Sequence, residues 1–144
     1  MSVITDEILS DIRQTLEATS AFSSVTLGAD EGAARWPRAE VHLASVDEAR
    51  PDDRADARWC ALASEVCIYV RSTGPAEATQ RLLDLVDTAQ EALRADSFRG
   101  QRCRDLPIGA ATVIGPTAAK PKVKPPYHAL TFEVCCHFES QEDN

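Results

Sequence analysis

Basic residues are scarce in this chain. Fifteen Lys and Arg stand against twenty-three Asp and Glu, giving a formal net charge of −8. That balance excludes broad electrostatic adhesion to duplex nucleic acid, which needs a positive face, while leaving room for a local basic patch. No apolar run approaches the roughly 18 residues of a membrane helix, so no membrane span is expected. The start, Met1-Ser-Val-Ile-Thr-Asp-Glu7, lacks a positive region and a continuous apolar one, so no secretory signal is expected. The six glycines are scattered singly and form no phosphate-cradling loop. Neither a GxSxG elbow nor an HExxH helix is present.

Cysteine is present in odd number: Cys60, Cys67, Cys103, Cys135 and Cys136. Without a secretory signal, these read as reduced, buried thiols acting as small hydrophobes. Cys60 and Cys67 are an odd offset apart, and Cys135 and Cys136 are adjacent. On regular strands each pair therefore points to opposite faces and cannot form a close disulfide or chelate. Cys135 and His137 do share a face, but two ligands on one strand make a weak metal site. Cys103, His42 or His128 would have to converge on them through the tertiary fold. A reactive thiol needs an electropositive, partly exposed setting, and these thiols sit in apolar ladders. No cofactor, metal or catalytic residue is assigned.

What is present is an ordinary globular mix, 44% hydrophobic and 26% charged, in 144 residues. A chain of this length forms one domain, 1–144, with a core that needs no staples. The spacing of Ile8, Ile12 and Leu16 predicts a helix over Thr5–Ala18, with Thr5 as N-cap. Ser23–Leu27 reads as a short strand and Gly28–Pro37 as a loop. Arg38–Val46 alternates, with Ala39, Val41, Leu43 and Ser45 on one side and Glu40, His42, Ala44 and Val46 on the other. Ala57–Ser72 is apolar or small on both faces, the mark of a central strand. Gly74 and Pro75 then open a helix whose stripe is Ala78, Leu82, Leu85, Val86, Ala89 and Leu93, with Gly100 as its stop. Strands are expected at Leu106–Ile114 and at Tyr127–Glu139. In the latter, Leu130, Phe132, Val134, Cys136 and Phe138 face the helices, and a polar tail, 140–144, ends the chain.

Two segments fit no core. Residues 47–58 hold five acids, three arginines and a proline, and read as a long loop between strands. Within it Asp52 and Asp53 form a carboxylate pair, where solvation leaves no reason for a perturbed pKa. Residues 115–126 hold four prolines and three lysines, favouring extended, ladder-free backbone. Lys120, Lys122 and Lys124 alternate, so an extended chain puts them on one side. Arg50, Asp52, Asp53 and Arg54 in the first segment, with Lys120, Lys122 and Lys124 in the second, are the candidate subunit or partner contacts. Copies of an acidic chain would supply the complementary surface for the lysines.

The order of elements resembles the tail terminator, or tail completion, proteins of long-tailed bacteriophages and related gene-transfer or injection particles. It is carried by the Ile/Leu-striped first helix, the run Glu65-Val-Cys-Ile-Tyr-Val70, and the helix Pro75-Ala-Glu-Ala…Leu82-Leu-Asp-Leu-Val-Asp…Ala92-Leu93 that follows at once. A short Gly100-containing link and two closing strands complete the match, which covers nearly the whole chain. The Lys-Pro segment is longer and more basic than that pattern requires.

The resemblance implies an α+β fold, a mainly antiparallel sheet of four to five strands with two helices on one face and long inter-strand loops. It implies a non-enzymatic virion protein, assembled in the host bacterial cytoplasm. Such proteins form a ring, commonly hexameric, that caps the tail tube, ends its growth and meets a head-side connector or stopper protein. DNA would pass through the lumen without specific binding. A different head–tail connector component is the neighbouring alternative. A small ligand-binding or thiol-dependent enzyme domain using Cys135, His137 or Cys103 is the alternative from another class.

Overall fold

The computed structural model describes residues 3–28, 36–49, 59–71, 74–96, 112–113 and 127–139. In chain order these form α1 (Val3–Ala18), β1 (Ser24–Leu27), β2 (Arg38–Ala49), β3 (Trp59–Arg71), α2 (Pro75–Arg94), β4 (Thr112–Val113) and β5 (Tyr127–Glu139). The strands make one sheet in the order β1-β2-β3-β5-β4. β1 runs parallel to β2, and the other neighbouring pairs are antiparallel. The fold is thus α+β with a mainly antiparallel sheet, as expected, and β3 is central.

α1 starts at Val3, so Thr5 lies inside the first turn, buried, and is not the N-cap. Its stripe of Ile8, Ile12 and Leu16 is fully buried, as its four-residue spacing requires. The helix closes where the Thr19 hydroxyl donates to the Leu16 carbonyl at 2.6 Å, and Ser20 takes a left-handed φ of 61° that turns the chain toward β1.

α2 opens as its sequence indicates. Gly74 caps it in extended conformation, Pro75 begins it, and the Ala78 N–H donates to the Gly74 carbonyl at 2.9 Å. Glu77 in the first turn and Arg94 in the last complement the helix dipole. The helix ends at Arg94, short of Gly100, which lies outside the described residues. Packing of an apolar face is what sustains such helices, and that face runs out at Leu93.

Both helices cover the same side of the sheet, α1 over β1 and β2, and α2 over β3 and β5. Ala39 and Val41 of β2, Leu62, Val66, Ile68 and Val70 of β3, and Leu130, Phe132, Val134, Cys136 and Phe138 of β5 meet the helix stripes in one core. Ser64 is buried on that side, where its hydroxyl donates to the His42 carbonyl at 3.0 Å.

The alternation of β2 does not run through as expected. A bulge between Leu43 and Ser45 leaves Ala44 without a partner on β3; thereafter Ser45 pairs with Ala63, Val46 with Leu62 and Asp47 with Ala61. The extra residue reverses the faces, so Val46 lies on the helix-bearing side and Ser45 on the other. Asp47–Ala49 extend β2, where the sequence suggested the start of a loop. Residues 50–58 lie outside the described residues. Of the strand expected over Leu106–Ile114, Thr112–Val113 are described, paired with β5.

Candidate assembly surface

The candidate contacts Arg50, Asp52, Asp53, Arg54, Lys120, Lys122 and Lys124 all fall outside the described residues, so the structure brings none of them together. It does place the elements that hold them. Residues 50–58 join the ends of β2 and β3, where Ala49 pairs with Trp59 and Trp59 with Glu139. The lysine segment leads into Tyr127, which pairs with Arg71 at the other end of β3. At about 3.3 Å per residue, the two attachment points stand roughly 40 Å apart along the sheet.

The side of the sheet opposite α1 and α2, which carries no helix among the described residues, holds a polar cluster that sequence reasoning missed. Alternation puts Arg38, Glu40 and His42 on one face of β2, opposite Tyr69, Cys67 and Glu65 of β3. Arg38 and Glu40 are only 3% and 2% exposed. The Glu40 carboxylate accepts from three side chains: the Arg38 guanidinium, the His42 Nε2–H at 2.9 Å and the Tyr69 hydroxyl at 3.3 Å. The guanidinium also stacks on Trp36 and Tyr69, 5.0 and 4.4 Å from the ring centroids. The signal was available in Trp36-x-Arg38-x-Glu40-x-His42, where alternation aligns opposite charges with an aromatic.

Burial, foremost, pushes the Cys67 thiol up, with Glu65 and Glu40 adding to it against a contact at 3.4 Å with the Thr131 hydroxyl. A thiol kept protonated is a poor nucleophile. Burial likewise raises the Tyr69 phenol, helped by Cys67 and Glu40 and opposed by Arg38. The folded chain therefore holds both protons more tightly than the unfolded chain. Their contribution is complete at neutral pH and is lost as pH climbs past about 9 to 10, where the free groups ionise. Urea unfolding at pH 8 and pH 10.5 is expected to show this alkaline loss, and Tyr69→Phe is expected to reduce it. Of the chain's two tyrosines, ultraviolet titration should find Tyr69 ionising above the ordinary phenol range.

Farther along the same side, Glu65 and Glu133 sit directly opposite one another and both are exposed. Cys135 and His137 share this side, opposite Ala63 and Ala61. His42 is engaged by Glu40, and His128 lies on the helix-bearing side. Among the described residues no three His, Cys, Asp or Glu side chains gather as a metal site would need. No helix among them is long and apolar enough to cross a membrane. Chemically, the buried cluster is a clamp between β2 and β3 whose donors converge on one carboxylate.

No protein-family model matches this chain, and no curated protein matches it. Among solved structures it is similar to a chain from the virion of a native gene transfer agent particle, with a TM-score of 0.51 and 12% identity, over 97% of this chain and 100% of that one. It also matches a sheath/tube terminator of an extracellular contractile injection system in its extended state, with a TM-score of 0.44 and 11% identity, over 93% of this chain and 57% of that one. At such identities the first likeness establishes a shared fold, from end to end of both chains. That fold agrees with the tail-terminator resemblance in the order of elements.

Proposed function

We propose that this chain is a structural component of a virion or virion-like tail that closes the end of the tail tube. The observation carrying this reading is the end-to-end match in fold with a chain of a gene transfer agent virion. In this reading the subunits form a ring, hexameric by the family resemblance, that stops tube growth and offers its other side to a head-side connector or stopper protein. The protein performs no reaction. It is made in the host bacterial cytoplasm and ends in the tail or neck of the particle.

Connectivity supports the reading, because the described strand ends that lead into two charged segments lie at opposite ends of β3. Arg50, Asp52, Asp53 and Arg54 are attached at one end, and Lys120, Lys122 and Lys124 at the other. A head-to-tail ring needs two different surfaces on each subunit. A net charge of −8 suits a conduit through which DNA passes without adhering.

Size-exclusion chromatography with light scattering tests this, on the chain alone and with tail-tube subunits. The expected result is a closed ring, alone or seated on tube ends. A strictly single chain under both conditions overturns it. Capture by portal-side protein in place of tube would identify a stopper or adaptor instead.

A further inference from the structure

β2 has an edge with no strand beside it among the described residues. β1 pairs with Arg38–Val41, and the Gly28 N–H reaches the Val41 carbonyl at 2.8 Å as the last bond of that ladder among the described residues. Beyond it, Ala44, Val46 and Asp47 are exposed, Val46 at 41%. The two faces of this stretch differ. Ser45 and Asp47 lie on the acidic, helix-free side, which also carries Glu65 and Glu133, and Val46 lies on the helix-bearing side. Natural edges are usually guarded by charge, proline or a bulge; this stretch has the bulge at Ala44 and the charge of Asp47, but neither lysine nor proline.

One segment of the chain has the matching pattern. In Lys120-Pro-Lys-Val-Lys124 the lysines alternate with Pro121 and Val123. Laid along β2 as a strand, it would set lysines beside Ser45 and Asp47 while Pro121 and Val123 cover Val46. Run parallel to β2, such a strand turns the Pro121 nitrogen outward, where its missing N–H costs no ladder bond.

A chain cannot serve itself in this way. Asp47 pairs with Ala61, and Tyr127 pairs with Arg71, ten residues farther along β3. That is about 33 Å along the sheet, with about 14 Å more across it to the outer edge of β2. Lys124 is three residues from Tyr127 and Lys120 seven, spans of at most about 10 and 25 Å. From Val113, on the far side of β5, Lys120 is again seven residues away and the crossing wider.

We propose that the outer edge of β2 over Ser45–Asp47 takes the Lys120–Lys124 segment of a second copy as an added strand. The inference rests on the ring reading and specifies its contact. Edge and segment are different surfaces, so the pairing is head-to-tail and can close on rotation.

Two variants test it: Val46→Lys with Asp47→Lys, which blocks the edge, and Lys120→Glu with Lys122→Glu and Lys124→Glu, which reverses the segment. Each alone is expected to lose ring mass and run as a single chain, with the thermal unfolding of the unmodified protein. Mixed, they are expected to form a pair and stop there, because one good edge meets one good segment. Amide hydrogen exchange at Val46, whose N–H faces the outer edge as the Val41 carbonyl does, should slow when the unmodified chain assembles, a readout that survives poor folding of a variant. Assembly of either variant alone, a mixture that stays single, or unchanged exchange at the edge overturns the contact while leaving a ring intact. An unmodified chain that never assembles, with or without tube subunits, overturns the ring reading itself.

Discussion

Glu40→Ala is expected to destabilise the fold by about 3–5 kcal/mol, the range for removing one partner of a buried ion pair. Glu40 is almost fully buried and receives the Arg38 guanidinium, the His42 ring and the Tyr69 hydroxyl. Its removal leaves a positive charge inside the molecule and takes an acceptor from two further donors. For a chain of this size, the thermal midpoint should fall on the order of 10 °C. Most of the loss reflects an orphaned charge, so taking both charges away should cost much less. The pair Arg38→Met with Glu40→Leu is expected to recover most of the stability lost by Glu40→Ala. Chemical denaturation of the single and double variants checks both statements. If the double variant were as unstable as the single one, the clamp would owe its effect to shape and not to charge.

Phe132→Ala is expected to cost about 3–5 kcal/mol for a different reason, the cavity it leaves. Phe132 is 2% exposed and lies across from Val66, which in turn lies across from Val41, so it fills the middle of the helix-covered side. The neighbouring β3 is paired on both sides and cannot collapse into the space. Leu83→Ala is the internal comparison. Leu83 sits on the outer face of α2, 48% exposed, and its truncation should change stability by no more than about 0.5 kcal/mol. Similar losses from the two substitutions would mean that α2 buries a different face.

Much of this architecture is legible from periodicity. The four-residue stripe of α1, the Gly-Pro opening of α2 and the alternation of β5 each identify an element and its buried face, because solvation acts on every residue locally. The proline-rich segment 115–126 and the charged stretch 50–58 declare themselves by composition as candidates for contact. They lie outside the described residues, and their roles stay proposals for the assembly experiments.

Three features depended on the assembled sheet. The bulge near Ala44 is a matter of register between β2 and β3, and a strand read alone carries no record of its partner's count. The parallel placement of β1 beside β2 is a pairing between strands, and no pattern within Ser24–Leu27 records it. The burial of Arg38 and Glu40 is not recorded in the alternation of β2. Charge on a strand normally marks the solvent side, and only the cross-strand arrival of Tyr69, with Trp36 and His42 beside it, makes burial affordable here. Local chemistry thus chose the helices, the strands and the side each buries. The pairing of distant strands decided the strand order, the clamp and the edge of β2 that has no strand beside it among the described residues, since those depend on distances between residues far apart in the chain.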